Sequence, residues 1–97
     1  MVFAMVICEI HLPAARGLKE KRRVVKGFIE RLHKRFRLSI METDFHDLHQ
    51  RSRIAMAMVE AGPARLDQLL ERLRDMAESL DEAVVVRWDV DIVEAEV

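Results

Sequence analysis

The chain has 97 residues, 51% of them hydrophobic and 34% charged, with a formal net charge of −1. This composition excludes a disordered polyelectrolyte and fits one compact domain over residues 1–97, of a size that buries about two thirds of its unfolded surface. Cys8 is the only cysteine, which excludes an internal disulfide and a Cys-rich zinc site and makes the cytoplasm the natural home.

The first predicted element is a strand, Val2 to Leu12. Val2, Ala4, Val6, Cys8, Ile10 and Leu12 alternate with Phe3, Met5, Ile7, Glu9 and His11, and both faces begin apolar, as in a central strand. The apolar run is too short to span a bilayer and has no basic residues before it, so it reads as neither a membrane span nor a signal peptide. Pro13 and Gly17 bracket a connection into a basic helix, Leu18 to Phe36. There Leu18, Val25, Phe28, Ile29, Leu32 and Phe36 recur at helical spacing and form one apolar stripe. Lys19, Arg23, Lys26 and Lys34 line up on a separate stripe, flanked by Arg31 and Arg35. Gly27 weakens this helix by about 1 kcal/mol relative to Ala unless close packing requires it.

Leu38 to Phe45 is the second predicted strand, His46 to Gln50 a polar loop, and Arg53 to Glu60 the third strand. Gly62-Pro63 stops that strand and starts the second helix, since Pro at a first helical position loses no hydrogen bond. Leu66, Leu69, Leu70, Leu73, Met76, Ala77 and Leu80 form its apolar stripe. Ala83 to Val97 is the last strand, with Val84, Val86, Trp88, Val90 and Ile92 on one parity. Glu94 and Glu96 break that parity, which predicts a β-bulge near Ile92 or Val93 or a turn out of the sheet. The order β-α-β-β-α-β predicts an α+β fold of the ferredoxin-like type: a four-stranded antiparallel sheet with two helices on one face. The open face would carry Phe3, Met5 and Ile7, an apolar patch that predicts a homo-oligomer, most simply a two-fold dimer.

Charge is divided along the chain. Between Arg16 and Arg37 stand ten Lys or Arg against two Glu, and from Asp67 onward ten Asp or Glu against three Arg. Such separated poles favour oriented association, with a polyanion at one end or head-to-tail between copies.

Two stretches carry a family resemblance. Gly17-Leu18-Lys19-Glu20-Lys21-Arg22-Arg23, followed by Asp44-Phe45-His46-Asp47-Leu48-His49-Gln50-Arg51 entering a strand, resembles the YlxP-like family of small bacterial proteins of unknown function, and the match runs over essentially the whole chain. Gly17 stands where the family has Ser, which removes a side-chain N-cap, and His49 stands where it has Trp. The resemblance implies a ferredoxin-like fold and a cytoplasmic bacterial protein with no established activity. It also implies a gene neighbourhood of translation and ribosome-maturation factors, and so an association with RNA or ribosomes.

The leading functional expectation is a non-enzymatic module that binds RNA or a ribosomal subunit. Lys19, Lys21, Arg22, Arg23, Lys26, Lys34 and Arg35 would contact phosphates, joined by Arg51 and Arg53 if the second hairpin folds nearby. Base stacking on the open sheet face is disfavoured, because the third strand reads Arg53-Ile54-Ala55-Met56-Ala57-Met58-Val59 without an aromatic. The alternative is a structural or ligand-sensing homo-oligomer whose charges only solubilise it.

Catalysis is not expected. The chain has no Asn to position water beside a phosphate-binding Arg, as an acylphosphatase would require, its three glycines are isolated, and no nucleophile and base stand at a telling spacing. Glu9, Asp89 and Asp91 would share the open face as solvated carboxylates. His46 and His49, with Asp44 and Asp47 beside them, form the one metal-like cluster, but a structural site normally needs four ligands and no further His or Cys has the right spacing, so no metal and no cofactor is expected. Trp88, Phe28, Phe36 and Phe45 read as core packing.

Overall fold

The computed structural model describes residues 1–96, with the order β1 (Val2–His11), α1 (Leu18–Arg35), β2 (Ser39–Asp44), β3 (Arg51–Glu60), α2 (Pro63–Glu78) and β4 (Val84–Glu94). The strands form one antiparallel sheet in the order β2-β3-β1-β4. This is the ferredoxin-like α+β fold anticipated from the sequence, with β1 central. The final residue of the expected last strand, Val97, lies outside the described residues. No helix is long and apolar enough to cross a membrane among the described residues.

The core follows from the two periodicities. Val2, Ala4, Val6, Cys8 and Ile10 of β1 and Ile54, Met56 and Met58 of β3 are buried on the helix side, as a period of two dictates. Val25, Phe28 and Leu32 of α1 and Leu66, Leu73 and Ala77 of α2 meet them at spacings of three, four and seven. Phe28 is fully buried, a burial that contributes about 2–3 kcal/mol.

The last strand differs from its expected phasing. No irregularity occurs at Ile92 or Val93: Val2 pairs with Glu94 and Ala4 with Ile92 in unbroken register. The register shifts instead between Glu9 and Ile10, whose partners are Arg87 and Val85, which leaves Val86 as the extra residue. Val85 is thereby turned toward the helices and half-buried, while Val84 and Val86 are exposed. Glu94 therefore needs no bulge, and β4 ends there, so Glu96 lies beyond the strand as the expected turn out of the sheet requires. Glu94 keeps the parity of Ile92, and both are exposed on the edge strand. A second shift lies between Glu42 and Asp44 in β2, just before the hairpin connection.

Candidate functional site

The outer surface of α1 is the most strongly charged feature. Lys19, Arg22, Arg23, Lys26, Arg31, Lys34 and Arg35 are all exposed. Arg23 alone among them has a carboxylate partner among the described residues, Glu82 Oε2 at 2.6 Å. Arg23 and Glu82 hold each other ionised, chiefly through that hydrogen bond, so the guanidinium is pushed above and the carboxyl below its ordinary pKa. The acidic residues of the helix do not pair with its cations: Glu20 Oε2 accepts the backbone N–H of Arg16 at 2.9 Å, and Glu30 makes no ion pair among the described residues. Arg23, Arg31 and Arg35 lie along a groove of about 520 Å³ between α1 and the C-terminal end of α2, with Gly27 in its wall. A Cβ at Gly27 would meet no atom within 4 Å, so no close approach requires this glycine.

Lys21, assigned to the phosphate-binding face by its residue type, is not on that face. It is fully buried. Its position precedes Val25, Phe28 and Leu32 by four, seven and eleven residues, which places it on the buried stripe. Its Nζ lies 3.1 Å from Glu42 Oε2 and donates to the carbonyl oxygens of Phe45 (2.7 Å), Arg51 (3.3 Å) and His46 (3.4 Å). Glu42 Oε2 also accepts from the buried Ser52 hydroxyl at 2.6 Å. An ammonium ion so enclosed is compensated internally and offers nothing to an external phosphate. It clamps α1 to the end of the β2–β3 hairpin, so the two sequence stretches that carry the family resemblance meet at this one lysine.

The clamp also explains the backbone at Phe45, whose φ of 63° is unusual for a side-chain-bearing residue. Its carbonyl accepts hydrogen bonds from Lys21 Nζ and from the Leu48 N–H, and its own N–H donates to Asp44 Oδ1 at 2.7 Å. Its ring is not core packing as expected: it is half-buried beneath the guanidinium carbons of Arg51 at 4.3 Å and Arg53 at 4.9 Å.

Arg51 and Arg53 do not extend the α1 patch. Strand parity puts them on the open sheet face opposite His11 and Glu9, with the sheet between them and the helices. There they converge with Arg87 on Glu9, at 3.0 Å from Arg51, 3.4 Å from Arg53 and 2.9 Å from Arg87. Glu9 is 7% exposed because guanidinium groups cover it. The hydrogen bond from Arg87 comes first in holding its carboxyl below the usual range. Asp44 pairs with Arg53 and Asp89 with Arg87, which completes a self-neutralised network.

Farther along the open face Phe3 and Ile7 are half-buried and Met5 is 49% exposed. Phe3, Met5, Ala57, Val59 and Val93 line a shallow groove of about 820 Å³. The loop histidines His46 and His49 are exposed, and His46 Nε2 lies 3.3 Å from the Glu42 carbonyl. Among the described residues no group of three His, Cys, Asp or Glu is arranged to hold a metal ion. Burial pushes the Cys8 thiol up to about 12, which keeps it protonated at neutral pH.

Residues 3–90 match the family model described as Protein of unknown function (DUF503). Over 75 residues the chain is 32% identical to the uncharacterized protein YlxP of Bacillus subtilis (strain 168), an alignment covering 77% of this chain and 82% of that relative.

Proposed function

The chain belongs to the DUF503 family of proteins of unknown function, and from that premise we propose that it is a non-enzymatic module that docks on RNA, ribosomal RNA first, through the outer face of α1. The observation that carries this reading is the set of cations Lys19, Arg22, Lys26, Arg31, Lys34 and Arg35 on one helix, unpaired among the described residues. A merely solvated helix surface commonly closes its i,i+4 charges into ion pairs; here Glu30 stands four residues from both Lys26 and Lys34, yet it pairs with neither among the described residues. Arrays of this kind bind phosphates by releasing counterions, with affinity that falls steeply as salt rises and little reading of sequence.

The test is co-sedimentation with ribosomal subunits and free ribosomal RNA across a salt series. Four to six phosphate contacts on single strands give a log–log salt slope of about −3 to −4. Replacing Lys19, Arg22 and Lys26 together by Glu abolishes retention and leaves the fold unchanged by circular dichroism. Retention that is unaltered by these reversals refutes docking through α1.

The exposed apolar groove along Phe3, Met5, Val59 and Val93 favours a second reading, in which two copies cover this face about a two-fold axis. Sedimentation equilibrium of the wild type beside Met5→Lys distinguishes the two: a dimer dissociates in the variant, whereas a chain that is monomeric in both excludes this interface.

A further inference from the structure

The end of the molecule where α1 finishes and α2 begins holds a second cationic feature. Arg35 in the last turn of α1, Arg37 just beyond it, Arg65 in the first turn of α2 and Arg72 two turns later line one depression of about 510 Å³. All four are exposed. None has a carboxylate oxygen within 4 Å among the described residues. Glu60 is the single carboxylate in the lining, so the site keeps a net charge of about +3. Arg72 is held in place, its guanidinium carbon 4.9 Å from the centre of the Phe36 ring.

Glu60 and the helix ends offset this concentration only in part. Arg35 gains from the negative end of α1, but Arg65 sits at the positive end of α2, where a cation is unfavourable. That turn has no acidic residue, and Gly62 supplies no side-chain cap. Arginines from both helices and from the link between α1 and β2 thus converge at an electrostatic cost that an anion would relieve.

We propose that this depression binds the clustered phosphates of a nucleotide, as a free polyphosphate or as consecutive phosphates of an RNA strand. Forked guanidinium groups match phosphate oxygens, and a charge of about +3 suits a polyphosphate better than a single carboxylate. The volume lies within the range of small-ligand sites. The site shares Arg35 with the outer face of α1, but Lys19, Arg22 and Lys26 do not line it.

The experiment is a titration of the full chain with inorganic pyrophosphate, followed by amide and arginine Nε–H NMR shifts, and repeated with a short single-stranded RNA present. Saturable shifts are expected at Arg37, Arg65 and Arg72. Affinity falls at least about tenfold in Arg37→Ala/Arg65→Ala, and the loss is partly restored in Arg37→Lys/Arg65→Lys, which keeps the charge without the fork. Competition between pyrophosphate and RNA assigns the site to strand phosphates, and simultaneous binding assigns it to a free polyphosphate. Absence of saturable shifts at millimolar pyrophosphate, or shifts confined to Lys19, Arg22 and Lys26, overturns the proposal. Pyrophosphate binding by a chain that retains no RNA at low salt sinks the RNA reading and leaves this site standing.

Discussion

At the N-terminal end of α1, Lys21 is enclosed by Glu42 and three backbone carbonyls. At the C-terminal end of the same helix, Lys34 and Arg35 face water with no carboxylate partner among the described residues. The open sheet face repeats the first condition, with Arg51, Arg53 and Arg87 spent on Glu9. Cations of the first kind hold the fold, because removing them strands a buried acceptor or carboxylate. Cations of the second kind are free to meet an external anion. Residue type does not separate the two groups; the presence of an internal partner does.

The largest effect that tests this contrast is at the clamp. Lys21→Ala removes the ammonium from Glu42 and three carbonyl oxygens, leaving Glu42 the Ser52 hydroxyl and the Phe45 carbonyl the Leu48 N–H, and should cost about 3–5 kcal/mol in chemical denaturation at neutral pH. Lys21→Met keeps most of the stem volume, so a similar loss in that variant assigns the cost to the unpaired oxygens rather than to a cavity. A loss below about 1 kcal/mol in both would mean that water replaces the ammonium and that the clamp is dispensable.

Glu9 should matter less. Its partners are half exposed and recover hydration when it is removed, so Glu9→Gln should cost only about 1 kcal/mol. Its folded pKa lies below the ordinary value of 4.5. The stability it contributes is therefore complete above about pH 4.5 and is lost as pH falls through the folded value. The gap in denaturation midpoint between wild type and Glu9→Gln, followed downward from pH 7, should narrow once the pH falls below about 4.5. A gap of constant size would show that the network does not depend on the Glu9 charge.

The elements and their order were legible because each helix and strand writes its own period. What escaped was non-local or hidden by residue type. Lys21 read as surface although its spacing to Val25, Phe28 and Leu32 lay in plain view; the signal was positional, and the ammonium group masked it. The Val86 bulge left no mark, since Val84, Val85 and Val86 are the same residue and a change of parity among them is silent. The convergence of Arg51, Arg53 and Arg87 on Glu9 requires the register of three strands, which no single segment contains. Phe45 read as core because aromatics usually are, and only the hairpin geometry turns it beneath two arginines.

The smallest expected effect sharpens the contrast from the other side. Gly27 lies among the exposed cations of α1, in the groove shared by Arg23, Arg31 and Arg35, and a methyl group there meets no atom within 4 Å. Gly27→Ala therefore removes the backbone-entropy cost of a helical glycine without a steric penalty, and should stabilise the chain by about 0.5–1 kcal/mol. If polyanion docking runs along the outer stripe of Lys19 and Lys26, the variant binds RNA as the wild type does while melting later. Later melting with weakened RNA binding would move the contact into the groove between the helices, where the methyl group intrudes. Earlier melting would mean that the glycine is needed for an approach of α2 to α1 closer than the 4 Å clearance allows.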